Sequence, residues 1–461
     1  MKKYDLKPSR ENLLKTYKND SIGRNADVFR FISILDAVED AYSIALEGNW
    51  GSGKTFFVKQ TKMVMDAYNE HIHFYEGDDR EIIKSVHVDN LSIDLSKIQP
   101  QVCVYYDAWE NDNDDDPILS LMYTILNSID EDFSFREHSL LKIAAGLMEA
   151  FTGRDWEQIV DALKGKEPFD ELKQSKNMEI RVNDFLQSLL PEHGNRLVVF
   201  IDELDRCKPS YAVRLLERIK HYFSNDQITF VFSVNVNELQ HTIRKYYGND
   251  FNASRYLDRF FDLRVTLPSP DMERFYQSIT FHNTSYYDRV CMAVISKYHF
   301  ELREIARYLQ LTKIAAYELT HDERHRFSFA DGKAFQFAIF YIAPIMMGLK
   351  VSSMKRYEDF IDGRDYTPLL EFADVLEWEY RNGLLARNET FDQEESSKKK
   401  VELKEKLRAV YMAIFGTVYT EGVYSKKVGA FEFNVNTKDR LLRIVGLTSP
   451  YTEVGKLQQN E

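Results

Sequence analysis

Apolar residues gather along this chain in short unbroken runs, separated by longer stretches of helical period. Leu197-Val198-Val199-Phe200-Ile201 has no polar break and ends in Asp202-Glu203. Such a run marks a strand buried on both faces of a parallel sheet. Ile228 to Val234 reads the same way and ends at Asn235, and Phe261 to Leu267 ends at Pro268. With Ser43 to Leu46 and Val102 to Tyr106, this predicts a doubly wound, mainly parallel α/β sheet of about five strands separated by helices. Ligands of such sheets bind at the carboxyl ends of strands, where Asp202 and Asn235 fall.

Around this core, at residues 1–270, the pattern is helical from Ile118 to about Leu190, with a charged break at Lys164-Gly165-Lys166-Glu167-Pro168. It reads as an insertion carried on the sheet. Strand signals fade after Pro270, and Asp271 to Leu319 and Lys333 to Tyr380 read as helices, a lid or second domain over 271–390. The polar stretch Arg387 to Lys400 reads as a mobile linker opening a last segment, 391–461. That segment holds an amphipathic helix from Val401 to Phe415 and a short hairpin around Gly429 to Phe433. Leu140 to Phe151 and Phe335 to Leu349 are apolar but fall short of the roughly 20 residues needed to span a bilayer. They read as buried helices, and membrane association is not expected.

Composition narrows the classes. With 461 residues, 44% of them hydrophobic, the chain can bury two or three cores. Its formal charge of −13 opposes a nucleic-acid backbone at long range, which disfavours a dedicated DNA motor. Cys103, Cys207 and Cys291 lack metal-like spacing and suit a reducing cytosol. The opening Met1-Lys2-Lys3-Tyr4-Asp5 lacks the apolar core of a signal peptide, so a cytoplasmic protein is expected.

The chemistry starts at Gly48-Asn49-Trp50-Gly51-Ser52-Gly53-Lys54-Thr55, which fits G-x-x-x-x-G-K-[ST], the P-loop pattern whose backbone amides cradle a nucleotide's phosphates. The strand before it and the helical residues Phe56 to Tyr68 after it supply the required context. Gly51 and Gly53 allow close backbone approach to phosphate. Lys54 is expected at the β/γ-phosphates and Thr55 on Mg²⁺. Asp202, at a strand end, would anchor the same Mg²⁺ through its water shell. Adjacent Glu203 points differently and can orient or deprotonate the attacking water. Asn235 can act as a polar sensor of water or γ-phosphate, or simply cap a turn. Arg255, Arg259 and Arg303 are candidates for the arginine, from the same chain or a neighbouring subunit, that neutralises γ-phosphate charge, against the common reading of surface ion pairs. Arg206 better fits support of the acidic loop than contact with phosphate. His321-Asp322-Glu323-Arg324-His325 has histidines at helical spacing, but aspartate stands where a zinc protease needs glutamate, so no metal site is assigned.

Several of these residues together resemble the KAP-type P-loop NTPases. Asn49 to Thr55 looks like that family's tryptophan-containing P-loop, and Ile201-Asp202-Glu203-Leu204-Asp205-Arg206-Cys207 like its extended Walker B. Asp107-Ala108-Trp109 is similar to its asparagine-alanine-tryptophan strand end, with aspartate replacing the commoner asparagine. Ile22-Gly23-Arg24 resembles the glycine-arginine element before the core, and Tyr256 to Phe261 followed by Leu267-Pro268 its approach to the last strand. The resemblance covers roughly Ser21 to Leu309. It implies an additional-strand ATPase sheet, ATP with Mg²⁺ as ligands, and adenine lying near Gly23 and Arg24. Many relatives carry transmembrane helices between the two Walker motifs. The corresponding region here fails the length criterion.

Two functional classes follow. One is a Mg-dependent ATPase that couples hydrolysis to a conformational or assembly switch, with a protein partner or self-assembly engaged through the helical insertion or the C-terminal region. Bacterial soluble relatives are often found in defence against phage and plasmids, and the resemblance implies the same setting. The other is a non-hydrolysing nucleotide-binding scaffold that presents a partner surface. A nucleic-acid-dependent motor would need a local basic groove to overcome the net charge, and Lys398-Lys399-Lys400 is too short to supply one.

Overall fold

The computed structural model describes residues 7–72, 77–88, 91, 93–133, 190–191, 193–223, 225–279, 281, 285–321, 332–385, 393–416 and 424–447. Most of the insertion read at 118–190, including Leu140 to Phe151 and the 164–168 break, lies outside them. So does the span from His321 to His325 beyond its first residue. The chain divides into two units, Asp5–Ser278 and, from Ile279 onward, Ile279–Glu461.

In the first unit the apolar runs form five parallel strands: β1 Tyr42–Glu47, β2 Gln101–Asp107, β3 Arg196–Asp202, β4 Ile228–Val234 and β5 Leu263–Thr266, in the order β2-β3-β4-β1-β5. Every residue of β3 and β4 is buried, as their unbroken apolar sequence requires of central strands. Among the described residues strand β5 pairs only with β1, and it alternates between half-buried and exposed positions, the pattern of an edge. Because β4 lies between β1 and β3, one strand separates the P-loop from Asp202. This is the additional-strand arrangement that the resemblance implied.

Side chains alternate between the two faces of the sheet. Ile44, Leu46, Val198, Phe200 and Val231 pack with three helices, α1 Arg10–Lys18, α2 Asn25–Asp36 and α3 Lys54–Tyr68. Val199, Ile201, Phe230 and Phe232 face the other way, toward α5 Pro117–Phe133 and the helices Pro209–Tyr222 and Val236–Tyr247. Helix α4 Gly77–Lys84 occupies the polar stretch after α3.

The second unit is mainly helical. Helix Tyr286–Tyr298 starts in a capping box formed by Ser285 and Asp288. Its Val294 lies so close to Gly348 that a Cβ there would stand 2.3 Å from a Val294 methyl carbon, so glycine is what lets the two helices approach. The Phe335 to Leu349 stretch is largely buried and divides into helix Gly332–Phe337, a π turn Ala338–Ile342 and helix Ala343–Ser352. Pro344 has no N–H to continue an α-helical ladder, which accounts for the wider turn ahead of it. No helix among the described residues is long and apolar enough to cross a membrane. The hairpin forms as β6 Ser425–Val428 and β7 Phe431–Asn434, turning at Gly429 with φ 60°.

The linker expectation is corrected at its carboxyl end. Residues from Gln393 onward are helical and continue to Phe415. Glu394 with Lys398, and Glu395 with Lys399, stand four apart, a spacing that supports a helix where composition alone suggested a tether.

Candidate nucleotide site

Strand β1 delivers the P-loop to the carboxyl edge of the sheet. The Gly48 N–H donates to the Val234 carbonyl at 3.2 Å, tying the loop's entry to the end of β4. Gly51 and Gly53 have φ of 85° and 94°, a left-handed backbone that glycine adopts without a Cβ clash. Helix α3 begins at Lys54, so the turn ends on a helix N-terminus whose unpaired N–H groups attract an anion. Lys54 Nζ donates to the carbonyls of Gly48 at 2.7 Å and Asn49 at 3.1 Å. Thr55 follows, half-buried in the first turn of α3.

Arg24 braces this loop from the protein side. Its guanidinium is buried and donates to the Ser52 carbonyl at 2.9 Å, while Ser52 Oγ donates to Asn49 O at 2.8 Å. Gly23, with φ 69°, has no room for a side chain, because a Cβ would stand 2.4 Å from the Cβ of Asp271.

The carboxylates converge from β2 and β3. Asp202 is 1% exposed; its Oδ2 accepts from the Tyr105 hydroxyl and its Oδ1 from the Glu203 N–H, both at 3.0 Å. Asp107 stands opposite Asp202 in the β2–β3 register and accepts from the N–H groups of Trp109 and Glu110. Glu203 leaves the strand with φ 60° and opens a tight turn, Leu204–Arg206. Burial, then the charge of Asp202, pushes the Glu203 carboxyl up from its ordinary 4.5 to about 7, against the pull of Arg206. Asp205 accepts from the Trp50 indole N–H at 2.5 Å and is raised chiefly by burial, against the pull of that bond and of Lys54. Burial lowers the Lys54 ammonium, opposed by Asp205, Asp202 and Glu203 in that order. P-loop and Walker B therefore share one electrostatic site.

Asp107 and Asp205 were not assigned as site residues from sequence. Asp205 carried a signal, since it follows Glu203 within the same acidic run, but its bond to Trp50 joins positions 155 residues apart. The Asn235 side chain caps helix Val236–Tyr247, accepting from the N–H groups of Asn237 and Glu238, so the turn-capping alternative describes its oxygen here. Arg255 and Arg259 are exposed and precede β5. Since β5 runs parallel to β1, they lie toward the amino-terminal edge, opposite the P-loop, and the fold does not bring them to their own chain's phosphate site. Arg303 is exposed in the second unit, on helix Leu302–His321. A cavity of about 150 Å³ at the amino-terminal edge, lined by Ile219, Phe223, Phe230 and Phe260 together with Lys220 and Asp262, lies at the opposite end of the strands from the P-loop.

A family model described as the KAP family P-loop domain matches residues 28–317, more than half of the chain. The chain belongs to the KAP family of P-loop NTPases. Membership makes nucleotide binding the general property of this KAP chain. It is also similar to the uncharacterized protein MJ0182 of Methanocaldococcus jannaschii, 40% identical over 68 residues, which is 14% of this chain and 34% of the relative. The chain thus spans about a third of the length of the curated relative it matches. Among solved structures, the ORC2 protein of Aeropyrum pernix, in its ADPNP-ADP complexes, aligns over 92% of each chain at 14% identity and a TM-score of 0.31, a likeness that carries no argument.

Proposed function

We propose that this KAP protein is a Mg-dependent ATPase whose hydrolytic site is formed by the P-loop, Asp202 and Glu203. The observation that carries the reading is the clustering of Lys54 with Asp202, Glu203 and Asp205 at the carboxyl edge of the sheet. The residues fit magnesium. Asp202 is a buried carboxylate whose two oxygens each accept one hydrogen bond and keep a lone pair to spare, and Thr55 adds a hydroxyl. A magnesium ion here would take few ligands from the protein and several from phosphate and water. When bound, the ion would neutralise charge on the β- and γ-phosphates.

The chain's own groups divide the remaining work. Loop amides at Gly51 to Lys54 hold phosphate, and Lys54 leaves its loop carbonyls for the β/γ-oxygens. Glu203, raised toward neutrality, accepts a proton from the attacking water. Gly23 and Arg24 stand on the side where the resemblance puts adenine, and Arg24 acts there through Ser52. The output is a conformational or assembly switch, engaged through the insertion or the C-terminal region. Arginine supplied by a second copy, through Arg255 or Arg259, is the version of that idea the strand direction allows.

The test is Glu203→Gln. It should keep nucleotide affinity and abolish turnover, whereas equal turnover in variant and wild type would remove Glu203 as the base. A wild type that binds ATP but never turns over, alone or with partners and nucleic acids, would establish the scaffold instead. The defence setting implied by the resemblance is read by plating phage on cells carrying wild type or Glu203→Gln.

A further inference from the structure

Glu203 is held by a neighbour that phosphate binding leaves unexplained. Arg206 Nε lies 2.5 Å from Glu203 Oε2, across the i, i+3 span of the tight turn, and both side chains are largely buried, 22% and 15% exposed. The turn itself is closed by the Arg206 N–H donating to the Glu203 carbonyl at 3.0 Å. The guanidinium carbon stands 5.6 Å from the ring centroid of Trp50 and 5.5 Å from that of Trp109. These indoles are 44% and 52% exposed, large apolar surface that chains normally bury. Trp50 belongs to the P-loop and Trp109 follows the end of β2, so three separate strand ends meet on one cation.

We infer that Arg206 is the positioning residue for Glu203, and that Trp50 and Trp109 hold it in place. The inference rests on the reading of Glu203 as the group that handles water. An arginine on a surface turn explores many rotamers, and a lone ion pair orients a carboxylate poorly. Two indole faces attract the planar guanidinium and restrict it, leaving the Nε edge for Glu203. Trp50 is fixed in turn by its indole N–H on Asp205. The loop that grips phosphate is thereby linked to the carboxylate that must aim at water, through Trp50 and Arg206.

The experiment compares Arg206→Ala, Trp109→Ala and Trp109→Phe with wild type and Glu203→Gln, measuring steady-state ATP turnover and, separately, the dissociation constant for ADP. Arg206→Ala should lower kcat by about 10–100-fold, the range for a misaligned catalytic group, with ADP affinity within about twofold of wild type. Trp109→Ala should fall in the same direction and Trp109→Phe should restore most of the loss. Far-UV circular dichroism and the urea midpoint confirm folding; Trp109 is exposed, so its variants read the effect even if Arg206→Ala folds poorly. Wild-type kcat in Arg206→Ala, or equal losses in Trp109→Ala and Trp109→Phe, would overturn the inference. A Glu203→Gln protein with full turnover, or a wild type with none, defeats the underlying reading instead, so the two failures are distinct.

Discussion

Gly53→Ala isolates the backbone contribution of the P-loop. Gly53 sits at φ 94°, ψ 23°, immediately before the first residue of α3. A left-handed conformation costs an L-residue roughly 1–2 kcal/mol. If alanine relaxes out of that region in the free protein, nucleotide binding must restore it, and affinity should fall by about 5–30-fold. Gly248 supplies the control. Its φ is 110° and a Cβ there would meet nothing within 4 Å, so Gly248→Ala adds strain without touching the loop. Titration calorimetry with ADP should show weakened binding for Gly53→Ala and unchanged binding for Gly248→Ala, while in urea the nucleotide-free Gly53→Ala protein, its loop relaxed, loses less stability than Gly248→Ala. Affinity within twofold of wild type in Gly53→Ala, or an equal loss in both variants, would refute the claim that loop geometry sets affinity.

Four further outcomes follow from the same geometry. With the Glu203 carboxyl at about 7, turnover should rise with pH and reach half its plateau near there, and the limb should vanish from any residual activity of Glu203→Gln. The sign for stability is opposite: between 4.5 and about 7 the folded protein keeps a proton the unfolded chain has released, so the nucleotide-free fold weakens as pH rises through that window, as urea midpoints at pH 5 and pH 8 can show. Tyr105→Phe removes the hydroxyl that donates to Asp202 Oδ2 and should cost about 1.5–3 kcal/mol in denaturant unfolding while raising the Mg²⁺ concentration needed for half-maximal turnover. Phe200→Ala, in the fully buried middle of β3, should cost about 3–5 kcal/mol, and a loss below 1 kcal/mol would contradict the assignment of β3 as a central strand.

The five strands were legible because a strand covered on both faces has to be apolar at every position, and β3 and β4 are written that way. The P-loop was legible because its glycines and lysine answer local demands within eight residues. For Arg255 and Arg259 the sequence left the same chain and a neighbouring copy equally open, because proximity in sequence to β5 says nothing about which end of a strand faces the phosphates. Asn235 was left between two readings, and the direction of its side-chain bonds favoured the cap. Residues 393–400 looked like a tether by composition, yet their charges recur at a spacing that a helix uses.

By itself the sequence determined the sheet class, the P-loop, the Asp202-Glu203 pair and the resemblance to KAP NTPases, all of them properties set by residues adjacent or nearly adjacent in the chain. Tertiary structure alone decided that Arg24 reaches the Ser52 carbonyl and that Trp50 pairs with Asp205. It also brought Arg206 against the rings of Trp50 and Trp109. Those contacts join segments tens to more than a hundred residues apart, and only the packing of strands at one edge of a sheet brings such distant polar groups within bonding distance.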